Sequence, residues 1–200
     1  MIKTEKKLYK EIIENLSDKK PVYIIGCAAC AAKCNTGGEE QVLDMHDRLT
    51  NDGFNVTGYA VLDTPCDSRI VRRDVLNKIK NIDDMQLVVC ACGSGVQTIA
   101  ELLEINVIAA LDTIFIGSTQ RLGLEREFCK ACGDCKLNEN ASYCTQARCP
   151  KSMKNGPCSG VIDGKCEVNP ENECIWYLIY RKKKTIGNYK SVRKNKESRE

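Results

Sequence analysis

"VYIIGCAACAAKC", residues 22 to 34, runs from four apolar residues straight into three cysteines. Val22 to Ile25 is short, rich in β-branched and aromatic side chains, and preceded by Pro21, which reads as a buried strand. Upstream, Leu8, Ile12, Ile13 and Leu16 recur at helical spacing until Pro21 stops the helix. Downstream, Val42, Met45 and Leu49 mark a second helix that ends near Asp52-Gly53. A strand from Phe54 to Leu62 follows, then a helix from Arg69 to Lys80 with Ile70, Val71, Leu76 and Ile79 in period. Leu87 to Val89 reads as a strand, a further helix begins after Gly93-Ser94-Gly95, and strands Val107 to Leu111 and Thr113 to Ile116 close the series. Strands alternating with helices are the mark of βαβ units and a parallel sheet. The expected fold class is therefore α/β: an N-terminal open parallel sheet with flanking helices, built from Rossmann-like βαβ units over residues 1–120. A small cysteine-rich metal-binding domain over 121–180 and a disordered basic tail over 181–200 complete the expected organisation.

Cysteine usage bears on compartment. The chain has 14 cysteines in 200 residues, and Met1 to Lys20 is charged and amphipathic, unlike a secretory signal. The expected location is cytoplasmic, where thiols stay reduced and a dense cysteine set points to metal binding more than to disulfides. No apolar run is long enough to span a bilayer, so membrane insertion is not expected. The net charge of +3 is concentrated in the tail: residues 181–200 hold nine Lys/Arg and two Glu, +7, leaving 3 − 7 = −4 elsewhere. That tail reads as a solubilising end, and no nucleic-acid partner is expected.

The cysteines of the first part fall at strand ends. Cys27 follows the first strand, Cys66 trails the second, and Cys90 and Cys92 follow the third. In an open parallel sheet the carboxyl ends share one edge, and ligands bind in the crevice outside them beside helix N-termini. With Cys30 and Cys34, six thiols converge on that edge. A four-thiolate cluster is anionic, so the amides of Gly93-Ser94-Gly95 suit it. Soft thiolates select zinc or iron with sulfide. Cys27, Cys30, Cys66 and Cys90 are the first choices for its ligands, with Cys34 and Cys92 in reserve. A redox pair at Cys27 and Cys30 is a rival, but it leaves Cys66, Cys90 and Cys92 unexplained. Cys27-x2-Cys30-x3-Cys34 also reverses the spacing of radical S-adenosylmethionine enzymes, whose barrel this pattern of elements does not resemble.

Beyond residue 120 apolar periodicity nearly vanishes, and Cys129, Cys132, Cys135, Cys144, Cys149, Cys158, Cys166 and Cys174 appear within one segment. Coordination can supply folding free energy on the order of 10 kcal/mol per structural site. Eight thiols make two four-thiolate sites, with the pairing open. Cys129-x2-Cys132-x2-Cys135 follows the ferredoxin run, and Cys149-Pro150 resembles its end, although Cys135 and Cys149 stand far apart. A zinc ribbon is the rival, because C-x2-C knuckles with a glycine turn serve both chemistries. The lone histidine, His46, reads as a solvated surface residue. Trp176, Tyr177 and Tyr180 read as packing for a terminal helix or strand.

"CKACGDC", "CTQARCPKS" and "NGPCSGVIDGKCEVNPENECIWYLIY" together resemble the cysteine-rich C-terminal domain associated with methylenetetrahydrofolate reductase, over about residues 120 to 180. The segments "GCAACAAKC", "LDTPCDSR" and "CACGSGVQ" look like the front half of the small iron–sulfur subunit found beside the flavin-containing reductase in acetogenic and related anaerobes. Ser159, where glycine is the family pattern, is a departure at a position not asked to ligate. The resemblance implies an accessory electron-transfer subunit of an oxidoreductase, not active alone, carrying [4Fe–4S] clusters with zinc as the alternative metal. It also implies that flavin belongs to a partner catalytic subunit and that an upstream donor protein supplies electrons. The sequence agrees in having no G-x-G-x-x-G loop and too few residues for a reductase barrel of about 250. A zinc-stabilised assembly subunit without redox activity is the competing expectation.

Overall fold

A computed structural model describes residues 1–121 and 123–187 of the chain. It divides into two units: residues 1–115 with 119–125, and residues 116–118 with those from 126 onward.

The first unit is built on a parallel sheet of four strands. These are β2 (Val22–Cys27), β3 (Val56–Leu62), β4 (Gln86–Cys90) and β5 (Val107–Ala109), in the order β3-β2-β4-β5. The chain leaves the central strand β2 to build β3 on one side and returns to build β4 on the other. The boundary between β2 and β4 is therefore a topological switch point, where the outgoing loops diverge and leave a crevice.

Helices cover both faces, as the alternating pattern requires. On one face Ile25, Leu87, Val89 and Ala91 pack against Val71, Val75, Ile99 and Leu103. These come from α4 (Ser68–Val71), the turn after it, and α5 (Gly93–Leu103). On the other face Val22, Ile24 and Val88 pack against Ile12, Val42 and Leu49. Those belong to α1 (Tyr9–Ile13) and α3 (Glu39–Asn51); the four-residue α2 (Cys30–Lys33) follows β2. Strands buried on both sides read as continuous apolar runs, which is how Val22–Ile25 and Leu87–Val89 appear in the sequence.

Three elements differ from their sequence expectations. The helix expected over Arg69–Lys80 is α-helical only to Val71 and continues as a π-helical turn over Arg72–Leu76. It ends ahead of Asn81, which takes a left-handed backbone conformation. The first helix is shorter than its apolar spacing implies, because the chain turns after Ile13. Strand β6 (Leu111–Arg121) is much longer than the expected Thr113–Ile116; with β1 (Ile2–Lys6) and β7 (Leu124–Cys129) it forms a second sheet ordered β1-β6-β7. Both partner strands are rich in charged residues and lack a clear apolar alternation, which hid them in the sequence.

The second unit holds α6 (Thr145–Arg148) and α7 (Ile175–Thr185). Its core is small: Cys174, Ile175, Trp176, Leu178 and Ile179, with Tyr143, Cys149, Met153 and Val161 packed against them. The helix α7 passes the expected start of the tail at residue 181 and stays helical to Thr185. The remainder of the expected disordered tail, from residue 188, lies outside the described residues. Among the described residues no helix is long and apolar enough to cross a membrane.

Candidate metal centre

Cys27 closes β2, and its N–H donates to the Gly37 carbonyl at 2.8 Å. Gly26 and Gly37 make this crossing of chains feasible: a Cβ on Gly26 would stand 2.8 Å from the Gly37 oxygen, and one on Gly37 only 2.0 Å from the Cys90 oxygen. Cys30 opens α2, one short turn beyond Cys27. Cys92 is the N-cap of α5, so the first amides of an eleven-residue helix lie next to its thiol. The Gly93 N–H donates to Thr113 Oγ1 at 2.8 Å, which ties the start of that helix to β6.

Cys66 lies in the loop after β3, immediately before Asp67, which caps α4 by accepting from the Arg69 N–H at 2.9 Å. Partial burial raises the Cys66 thiol pKa, and the neighbouring sulfurs of Cys92, Cys27 and Cys30 raise it further. These four thiols leave three different strand exits at the carboxyl edge of the sheet, with Cys66 in electrostatic reach of the other three. Among the described residues, no three Cys, His, Asp or Glu side chains stand close enough to hold a metal ion as placed. The four sulfurs are neighbours at electrostatic range, short of ligating distance.

Two of the six strand-end cysteines are turned elsewhere. Gly26 pairs with Cys90 in register, and Cys27 pairs with Leu62. Cys27 and Cys90 are therefore one step apart and point to opposite faces of the sheet. Cys90 packs with Ile24, Val42 and Leu49, is 1% exposed, and has its thiol pushed up to about 12 by burial, offset slightly by Lys6. The Cys90 thiol is therefore buried on the face opposite Cys27, whereas Cys92 stands with Cys27 and Cys30 near Cys66. Cys34 donates instead to the Ile2 carbonyl at 3.6 Å, toward β1.

The donor chemistry at the edge fits an iron–sulfur cluster. Four soft thiols converge beside a helix N-terminus without an imidazole among them. His46 is on α3, hydrogen-bonded to Asp47 at 3.1 Å and edge-on to Tyr59.

In the second unit Cys129 ends β7 and, like Cys132 and Cys135, is exposed. Ala131, at φ 50°, turns its N–H onto Cys129 Sγ at 3.3 Å, and Gly133 has φ 75°. Cys144 caps the start of α6 and Cys149 its end. Cys158 Sγ stands 3.9 Å from Glu167 Oε2, and Glu167 is in turn ion-paired to Lys151. That pairing, together with Cys158 and Cys166, raises the Lys151 pKa. Cys174 caps α7 and is buried. Sequence reasoning did not single out Lys151, since an isolated lysine carries no motif.

Neither a curated protein nor a solved structure matches the chain. Residues 108–200, which take in all eight cysteines of the second unit, match the family described as methylene-tetrahydrofolate reductase C terminal. Over these residues, just under half of its length, the chain is similar to the methylene-tetrahydrofolate reductase C-terminal family.

Proposed function

We propose that this chain is an accessory electron-transfer subunit of a methylenetetrahydrofolate reductase complex, with a [4Fe–4S] cluster held by Cys27, Cys30, Cys66 and Cys92. The observation that supports the reading is the placement of these four cysteines at three strand exits on the carboxyl edge of the sheet, at its switch point. The family match to residues 108–200 supplies the context of folate reduction. A bound cluster would supply one-electron transfer, and a flavin on a partner subunit can collect two electrons for chemistry at the folate. The chain's own residues fix the thiols. Gly37 holds the Cys27 amide, α5 presents Cys92 with its N-terminal amides, and the Asp67 cap fixes the loop of Cys66. On this reading the subunit works in the cytoplasm, beside a flavin-containing catalytic subunit and an upstream donor protein.

The test is to mix the anaerobic chain with a flavin-containing methylenetetrahydrofolate reductase subunit and a low-potential electron donor, and to follow flavin reduction by stopped flow. Wild-type chain is expected to accelerate reduction, and Cys66→Ala to abolish the acceleration. Equal rates with and without the chain would overturn the relay. A second reading, a zinc-stabilised assembly subunit, is favoured by the small core of the second unit and its Cys129–Cys132 turn. Zinc without iron in the anaerobic chain would install it.

A further inference from the structure

Four of the eight cysteines in the second unit line one cavity: Cys149, Cys158, Cys166 and Cys174. They reach it from separate stretches of chain, each held by its own contact. The Cys166 N–H donates to the Asn172 carbonyl at 3.0 Å and the Cys174 N–H to the Gly164 carbonyl at 2.7 Å. Lys165 also bridges antiparallel to Glu173, so a tight turn brings Cys166 and Cys174 to the same face, diagonally across that pair. Cys149 packs against the same small core as Cys174. Trp176 Nε1–H donates to the Met153 carbonyl at 3.1 Å, fastening the loop between Cys149 and Cys158 to the helix that Cys174 caps. Cys158 is tied in through Glu167, the residue after Cys166.

We propose that Cys149, Cys158, Cys166 and Cys174 hold one soft-metal centre, separate from the site served by Cys129, Cys132, Cys135 and Cys144. Two features suit four thiolates. The set contains no imidazole, which selects zinc or iron–sulfur over harder cations. A divalent ion on four thiolates leaves net negative charge, and Cys174 sits at the N-terminus of the eleven-residue α7, where amide dipoles stabilise it. The sulfurs do not stand at ligating distance as placed, so coordination draws the loops inward onto the cavity. The grouping concerns ligands alone and holds whether or not the chain carries electrons.

The test uses the full chain, purified without oxygen, as wild type, Cys158→Ser and Cys132→Ser. Zinc, iron and acid-labile sulfide are measured per chain. Native thiols are then labelled with iodoacetamide and mapped by peptide mass spectrometry. Cys158→Ser is expected to lose one centre's metal and to turn Cys149, Cys166 and Cys174 from protected to fully labelled. Cys132→Ser is expected to leave those three protected. Zinc in the lost fraction identifies a mononuclear site, and iron with sulfide identifies a cluster. Protection of the three in Cys158→Ser would overturn the grouping. So would their exposure in Cys132→Ser, including exposure through general unfolding, or a wild-type chain with these thiols labelled and no metal.

Discussion

Gly95, in the first turn of α5, packs against Pro65, the residue before Cys66: a Cβ added to Gly95 would stand 3.2 Å from the Pro65 Cγ and 3.0 Å from the Ala91 Cβ. The helix that presents Cys92 and the loop that presents Cys66 are therefore held together by the lack of a side chain. Gly95→Leu is expected to push that loop outward, at a cost of about 1–3 kcal/mol for overpacking. Iron content and the broad visible absorption of anaerobic protein should fall while far-UV circular dichroism stays. Full iron in a folded Gly95→Leu chain would count against Cys66 as a ligand.

Cys66 and Cys90 should answer substitution in opposite ways. Cys66→Ser is expected to remove the chromophore with little effect on the apoprotein, since the side chain is exposed. Cys90→Ser is expected to keep the chromophore but to lose about 1–3 kcal/mol in urea melts, because a hydroxyl would be buried among Ile24, Val42 and Leu49. Loss of iron in Cys90→Ser with unchanged stability would restore Cys90 to the ligand set.

Metal removal should act on one unit. Among the described residues the second unit's apolar cluster has five buried members, too few to offset the chain entropy of its loops. Chelation is expected to open the segment from Cys129 to Cys174 to protease while the sheet over residues 1–115 persists. Equal resistance of both parts after verified metal loss would refute a metal-dependent fold.

Alkaline pH offers a separate check on the first unit. Burial, then the hydrogen bond to Asp52, pushes the Tyr9 hydroxyl up from 10.0 to about 12; the Oη–Oδ2 distance is 2.8 Å. A raised pKa means the folded chain holds this proton more tightly. Its contribution is complete below pH 10 and is lost as pH rises from 10 through 12. Tyr9→Phe should be less stable than wild type at pH 8, and the gap should narrow toward pH 12. A gap independent of pH would place the effect of Tyr9 in its stacking under Arg48, 4.0 Å from the ring centroid.

What could be read in the sequence follows the strength of its periodic signals. Val22–Ile25 and Leu87–Val89 announce themselves because both faces are buried, and the helices between them carry apolar spacing. Strands β1 and β7 lack such alternation and were missed. The six strand-end cysteines were found by position, but position gives the edge and not the face. Only the pairing of Gly26 with Cys90 separates Cys90 from Cys27. In the second unit the cysteines are legible as a set, while their grouping depends on turns such as that joining Lys165 to Glu173, in a stretch without apolar periodicity.

The burial of Cys90 has a practical consequence. Enclosed in the core and held in its neutral form by burial, its thiol meets an alkylating reagent only when the parallel sheet opens. It is thus a built-in reporter of opening. Its labelling rate, followed beside that of exposed Cys66, would give the free energy of breathing of the first unit without an added probe, and would show whether filling the edge site slows that breathing.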